Sequence, residues 1–428
     1  MNKDRISVLF FVVSITCFSF VYGWIVGKYH VFPYKLFELA ESGGKKIIFK
    51  DTNDFDYFKP AIYPHRPAIY NSGQACEGLN LVTSITAGRK ISAKIMDLDG
   101  KSIHEWIVDW FKIWPDAKHV PGRFLPQSRP GTFIHGAVVM ENGDLVFNFE
   151  WLGLVRIDIQ GKVVWRLPYQ THHAVYKDDI GNLWVCGQKE HAEPEVQFPG
   201  YLLPFEEDTI LEVSPEGKIM QEWSVPKILR KNGLTGLLHL VVDPDIKMGG
   251  CTLHLNDVKP FPATLDEGFF KRGDVLVSLR SINTVFVFNR ESQDIKFIVT
   301  GKFVKQHDPD FIDGNSFSVF DNNNITSAKE GSHQSRILIV SAPENTVKVF
   351  FEGSPQAPFR TDSCGKHMWL PNGDLLVTEA YQGRAFEVNQ RGEIVWEYIN
   401  YVGDGKVGIV SEVQRLPPEC TRLFSGSE

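Results

Sequence analysis

Several familiar chemical signatures are missing from this sequence. Its six cysteines are scattered with no CxxC pair, so neither a zinc ribbon nor a thioredoxin-like motif is indicated. No P-loop occurs, which leaves a Walker-type nucleotide site without support. There is no GxSxG elbow of the kind a Ser-His-Asp hydrolase of that class needs. Positive charge is not in excess: 45 Lys+Arg stand against 52 Asp+Glu, a net charge of −7. A nucleic-acid partner is therefore not expected, because such a binder neutralises phosphates with a basic stripe. Disorder is excluded by 43% hydrophobic residues against 23% charged.

Aromatics and glycine are plentiful instead, with 31 Phe, 10 Trp and 36 Gly, a composition that suits many short strands joined by turns. One segment breaks this pattern. Ile6 to Val26 reads ISVLFFVVSITCFSFVYGWIV, without a charge. As a helix it spans about 30 Å, enough for the hydrocarbon core of a bilayer. Lys3 and Arg5 precede it and no small-x-small cleavage site follows. The expectation is an uncleaved signal anchor over residues 1–27, N-terminus in the cytoplasm, with the rest on the extracytoplasmic (periplasmic or extracellular) side. A cleaved signal peptide is the alternative. Residues 28–75 read as a juxtamembrane helix ended by Gly43-Gly44, then a linker kept extended by Pro60, Pro64 and Pro67.

From about Cys76 a pattern repeats over residues 76–428. Its clearest copies are HGAVVMENGDLVFNFEWLGLVRIDIQGKVVWRL and HMWLPNGDLLVTEAYQGRAFEVNQRGEIVWEY, starting at His135 and His367. Each runs strand, Asn-Gly-Asp turn, strand, loop, strand, Gly turn, strand ending near Trp. Asn-Gly suggests a type I′ hairpin turn. Six such units predict an all-β, six-bladed β-propeller preceded by the transmembrane helix. The first unit lacks an inner strand and VGIVSEVQRLPPE lacks a blade, so the two chain ends are expected to pair and close the ring. Long inserts near 189–208, 256–272 and 321–335 are expected to be surface loops. Closure would also bring Cys76 near Cys420, and a disulfide between them is expected.

Histidine falls non-randomly. His135, His173, His254, His307 and His367 each lead into a blade's first strand, normally the innermost, so all five can converge on the channel. Imidazoles there could hold a metal or carry out proton chemistry. Asp257, Asp308 and Asp310 follow two of them as possible orienting carboxylates.

In the order of its motifs the chain resembles the arylsulfate sulfotransferases, exported bacterial six-bladed propellers, over roughly Gly78 to Pro418. The resemblance rests on the turn DLDGKSIHEW, the paired His172-His173, the sequence His254-Leu255-Asn256 followed by Arg280 in LVSLRSINTVFVFN, and QHDPDFIDGNSFSVFDN with His307, Asp321 and Asn322. It implies transfer of a sulfuryl group from an aryl sulfate donor to a phenolic acceptor, with no nucleotide donor and no cofactor or metal. His307 would be the nucleophile. Arg280, His254 and His173 would be catalytic partners, with Asn256 and His172 binding substrate. The chain departs from the family in its long stretch from His254 to Arg280, in Asp308 after the nucleophile, in lacking a large N-terminal β domain, and at the last blade's hydroxyl, for which Ser363 stands. Two rival readings are a non-catalytic propeller binding a protein or glycan, and another propeller enzyme such as a lyase or quinone-dependent dehydrogenase.

Overall fold

A computed structural model describes residues 3–29, 32, 57–198, 201, 203–240, 252–324, 334–354 and 358–424. The chain divides into two units, residues 1–55 and 56–428. The first contains a 27-residue helix, Lys3–Tyr29, about 40 Å long. It is long and apolar enough to cross a membrane. The expected juxtamembrane helix lies outside the described residues.

The second unit is built of antiparallel sheets. Six of them hold four consecutive strands or a close variant of that order. Blade 2 is Ile134–Val139, Leu145–Phe149, Gly153–Ile157 and Val163–Leu167. Blade 3 runs from Gln170–Lys177 to Ile219–Ser224, blade 4 from Leu255–Pro260 to Ile295–Thr300, and blade 5 from His307–Phe311 to Thr346–Glu352. Blade 6 runs from Lys366–Trp369 to Ile394–Ile399, and Ile69–Asn71 adds a fifth strand to its outer edge. The innermost strand of each blade touches the innermost strands of both neighbours, so these six strands form a closed circuit. Apolar residues on both faces of the middle strands feed the cores between blades, for example Val146, Leu154, Val185 and Leu211 between blades 2 and 3. A stack of sheets around an axis is a β-propeller.

Blade 1 closes the ring as the sequence suggests. Val410–Leu416 pairs with Leu79–Thr86, with Lys90–Met96 and Ser102–Val108 outside it. Arg415 ties this joint together, donating to Asn80 Oδ1 at 2.9 Å and pairing with Glu387 at 3.0 Å. The proline-rich stretch is built into sheets rather than left as a linker. Phe58–Pro60 pairs with Lys406–Gly408, and Ile69–Asn71 with blade 6.

Four tryptophans pin one blade to the next. The indole N–H of Trp106 donates to Asp158 O, Trp165 to Pro215 O, Trp223 to Arg290 O and Trp396 to Leu98 O, at 2.8–3.1 Å. Each indole thus satisfies its polar atom while burying its ring between sheets.

Three expectations are corrected. The Asn-Gly turns are not type I′, because only the glycines have positive φ (Gly143 85°, Gly373 83°). Met140 N–H bonds to Asp144 O and Gly143 N–H to Met140 O, a type I turn with a glycine bulge. Two expected loops are partly strands: Lys189, Glu190 and His191 pair with Glu207, Glu206 and Phe205, and residues 256–260 belong to blade 4's inner strand. Cys76 and Cys420 are both free thiols. Past the closing pair of strands the chains part. Cys76 turns toward blade 6, its N–H on Glu387, while Cys420 lies near Glu141 and Lys177 of blades 2 and 3.

Candidate active site at the channel mouth

Five of the six inner strands carry a register shift near one end, at His172/Val175, Leu255/Asp257, His307/Asp310, Ile134/Ala137 and Val410/Glu412. Such bulges re-aim side chains. Several site residues also hold a left-handed backbone: His173 (54°), His254 (58°), Asp308 (47°), Trp151 (64°) and Cys364 (58°). Non-glycine residues rarely adopt this conformation, and where they cluster the surrounding structure must enforce it.

The bulges bring His135, His172, His173, His254 and His307 together. His173 is the hub. Its ring centroid lies 4.3 Å from His135, 5.0 Å from His172, 5.0 Å from His254 and 6.3 Å from His307. His367, expected to converge with them, does not. It lies in a separate polar cluster, with Nε2 2.7 Å from Ser318 Oγ and Nδ1 3.1 Å from Asp308.

His307 is buried and its tautomer is fixed by its neighbours. Nδ1 lies 2.6 Å from Asn322 Oδ1 and 3.1 Å from Lys305 O. Asn322 spends its amide N–H groups on Thr361 O (2.9 Å) and Cys364 O (2.7 Å), so its oxygen must face the ring. Nδ1 therefore carries the proton and Nε2 the lone pair. Nε2 is buried and makes no hydrogen bond among the described residues. Burial first, then Arg280, pushes the imidazole down to about 3, so it is neutral. The orienting acceptor is Asn322, not the carboxylates after His307. Asp308 points to Lys259 (3.0 Å), Lys366 (2.9 Å) and the His367 N–H (2.6 Å), and Asp310 pairs with Lys259.

Arg280 stands on a short 3-10 turn after the second strand of blade 4, closed by Asn283 in the left-handed region. One Nη donates to His254 Nε2 at 2.9 Å. Burial and this guanidinium hold His254 well below the usual range, so its Nε2 is an acceptor. Asn256 donates to Gln306 O at 2.8 Å, bracing the loop that carries His307. Asn148 braces His173 in the same way, through its carbonyl at 2.8 Å.

Sequence reasoning missed four residues. Glu150 accepts from His135 Nδ1 at 2.7 Å and from the His173 backbone N–H at 3.1 Å. Trp151 stacks on His172 at 3.8 Å, so His172 is fully buried beneath an indole and faces His173, with 2.8 Å between their Nδ1 atoms. Cys364, rather than Ser363, is the last-blade side chain that hydrogen-bonds His135. Tyr381 bonds Cys364 and feels Glu150 and Arg280; burial pushes its phenol up, so it stays protonated. Trp151, His254, Arg280 and Tyr381 are partly exposed, whereas His135, His172, His173 and His307 are buried.

The charges are sorted. Burial pulls His135 down, but Glu150 and Cys364 outweigh it and hold the ring at about 10, an imidazolium. Burial raises Glu150, but His135 outweighs that and keeps it ionised. Burial, with the cationic His135 nearby, brings His172 down to about 4 and holds His173 well below the usual histidine range, so both are neutral. His135, Glu150 and His173 offer ligand atoms within 4.8 Å of one another, as do Asp308, Asp310 and His367. In the first group the 2.7 Å His135–Glu150 contact is a hydrogen bond, closer than two ligands each about 2.0 Å from one tetrahedral ion would sit. The second group is already neutralised by Lys259 and Lys366. The arrangement provides a neutral nucleophilic nitrogen, a fixed guanidinium beside it, and a neighbouring imidazole backed by a charged pair.

The sequence profile of the arylsulfotransferase (ASST) family matches residues 136–401, more than half of the chain. The chain belongs to the arylsulfotransferase family. That membership makes it a sulfotransferase-like enzyme, with arylsulfotransferase-type function in general terms. Among curated proteins none matches significantly. Solved structures similar to it include a protein of unknown function from Bacteroides caccae (13% identity, 79% of this chain and 98% of that one, TM-score 0.49). Others are virginiamycin B lyase from Staphylococcus aureus (13%, 64% and 72%, TM-score 0.35) and the WD40 β-propeller domain of Doa1 (10%, 81% and 87%, TM-score 0.38). At those scores nothing about the site is carried over from them.

Proposed function

We propose that this arylsulfotransferase moves a sulfuryl group from an aryl sulfate ester to a phenol through a sulfohistidine on His307. The observation that carries the reading is the tautomer lock: Asn322 and the Lys305 carbonyl take the Nδ1 proton, leaving a neutral, unpartnered Nε2 near Arg280. A neutral imidazole can attack sulfur and later leave it. Arg280 meets the charge on the sulfuryl oxygens, and its N–H to His254 keeps the guanidinium in place. His173 gives a proton to the departing phenolate and takes one from the acceptor phenol. Asn256 supports the site through the His307 loop, and His172 acts through His173 rather than on substrate. No nucleotide donor takes part, which suits a catalyst held by the Lys3–Tyr29 helix as a single-pass anchor with the propeller outside the cytoplasm.

The test is incubation with 4-nitrophenyl sulfate and a phenol, followed by intact-mass analysis. Turnover and a protein heavier by one sulfuryl group are expected, both lost in His307→Asn. A His307→Asn protein that transfers at the parent rate overturns the assignment. Arg280→Lys should slow transfer by about 10²-fold, because a point charge cannot reproduce the planar fork.

A further inference from the structure

Arg280 and His307 must act on one sulfuryl group, yet they stand on different blades. Arg280 follows the second strand of blade 4, Asp274–Leu279, and His307 opens blade 5. A misplacement of about 1 Å between such groups can cost about 10²-fold in rate, so their separation has to be fixed. No direct bond fixes it, because His307 Nε2 has no partner among the described residues.

Asn283 makes the connection instead. It closes the 3-10 turn Arg280–Ile282 in the left-handed conformation (φ 49°), with its N–H on Arg280 O at 3.2 Å and its carbonyl accepting the Gly301 N–H at 2.9 Å. Its side-chain oxygen accepts the Lys305 backbone N–H at 2.9 Å. Lys305 is itself left-handed (54°), and its carbonyl accepts from His307 Nδ1 at 3.1 Å. One residue thus ties the turn that carries Arg280 to the carbonyl that shares the His307 proton. The neighbouring supports of this loop do not reach the turn: Asp321 Oδ1 takes the Val304 N–H at 2.8 Å, and Asn256 donates to Gln306 O at 2.8 Å.

The repeat shows what the turn alone requires. Gly383 holds the equivalent place after the second strand of blade 6. It closes Ala380–Gln382 in the same conformation (57°), with its N–H on Ala380 O at 3.2 Å and its carbonyl accepting the Asn400 N–H at 2.8 Å. Gly153 stands at that place in blade 2, also with positive φ (126°). Glycine therefore suffices for the left-handed backbone, which asparagine tolerates. What the amide at position 283 adds is the bond to Lys305.

We propose that Asn283 is a positioning residue that sets Arg280 and the His307 nucleophile in register, a role that rests on the sulfuryl-transfer reading. It acts through Lys305 and not on substrate. Without its side-chain oxygen, the Lys305 N–H turns to water and the carbonyl behind His307 loosens. Arg280 still binds the donor, but the guanidinium and Nε2 meet the sulfuryl group in register less often. Formation of the N–S bond slows while donor affinity changes little.

The experiment follows the first half-reaction alone, without acceptor. It measures burst release of 4-nitrophenolate and gain of one sulfuryl mass over a range of 4-nitrophenyl sulfate concentrations, for parent, Asn283→Gly and Asn283→Asp. Glycine keeps the left-handed turn and removes the acceptor oxygen; aspartate keeps both. Asn283→Gly should form the sulfo-enzyme about 10-fold more slowly at saturating donor, with the half-saturating concentration and the melting temperature close to the parent's. Asn283→Asp should recover most of the rate. Labelling of Asn283→Gly at the parent rate overturns the positioning role. So does a rate loss that aspartate fails to recover, or one that tracks a fall in melting temperature across both variants. Each of these leaves the His307 reading standing. A parent protein that shows neither burst nor label overturns that reading, and the role of Asn283 with it.

Discussion

Asn322 illustrates how much one amide can decide. Its N–H groups are committed to two carbonyls of the blade 6 loop, and its oxygen fixes the proton on Nδ1 of His307 and leaves the lone pair on Nε2. Replacing it with Leu keeps the volume and removes the acceptor. Asn322→Leu should lower kcat by about 10²-fold or more while KM moves little, since the ring spends its time in the wrong tautomer. Steady-state kinetics with 4-nitrophenyl sulfate would show it; a change confined to KM would disprove the lock. Residues whose motif stands in sequence were legible: His173, His254, Arg280 and His307 all arrive at one place. Glu150, Trp151 and Tyr381 were not, because nothing local marks a glutamate or an aromatic on a turn. A signal existed in the repeat. FEWLG, LRSIN and EAYQG occupy the same point, just after the second strand of blades 2, 4 and 6, so Arg280 could have pointed to the other two. The disulfide expected between Cys76 and Cys420 failed for a different reason: pairing ends of strands does not set where the chains go afterwards.

Strands and turns were the most readable level, because short apolar runs punctuated by glycine turns report directly on local backbone. Turn type was misjudged because Asn-Gly fits both a two-residue turn and a type I turn with a bulge, and the cross-strand register decides between them. The indole pins belong to this level too. Trp396 joins blade 6 to blade 1 through Leu98 O at 2.8 Å, where the ring is held shut by one strand. Trp396→Phe keeps most of the packing and leaves that carbonyl without its donor. A loss of about 1 kcal/mol in denaturant unfolding is expected. Removing the closing strand is more severe. A chain stopped after Tyr401 lacks Val410–Leu416, and blade 1 then exposes Leu79–Thr86 as an apolar edge. Its melting should fall for the whole β unit rather than for blade 1 alone, and a truncated chain that melts like the parent would contradict closure.

Across the molecule, the burial of neutral imidazoles gives stability a definite pH dependence. His172 sits at about 4 and His307 at about 3, against about 6.5 for an unfolded histidine. Between those values the unfolded chain binds more protons than the folded one, so stability falls as pH drops from about 6.5 toward 3. His135 works the other way. Held at about 10, its contribution is full below about 6.5 and is lost as pH rises through 10. Melting curves at a series of acid pH values should show Tm dropping, and less steeply for His307→Asn. A Tm flat from pH 7 to 4 would count against neutral burial. The ring closure has a further consequence, in the order of synthesis. Val410–Leu416 follows every other blade strand in the chain, yet it is the innermost strand of the first blade. Blades 2 to 6 can form as they emerge, but the circuit stays an open arc until this segment appears. A growing or prematurely stopped chain therefore carries all five site histidines without the closed frame that holds them. Assembly of the site thus waits on the segment that shuts the circuit, whichever blades have already formed.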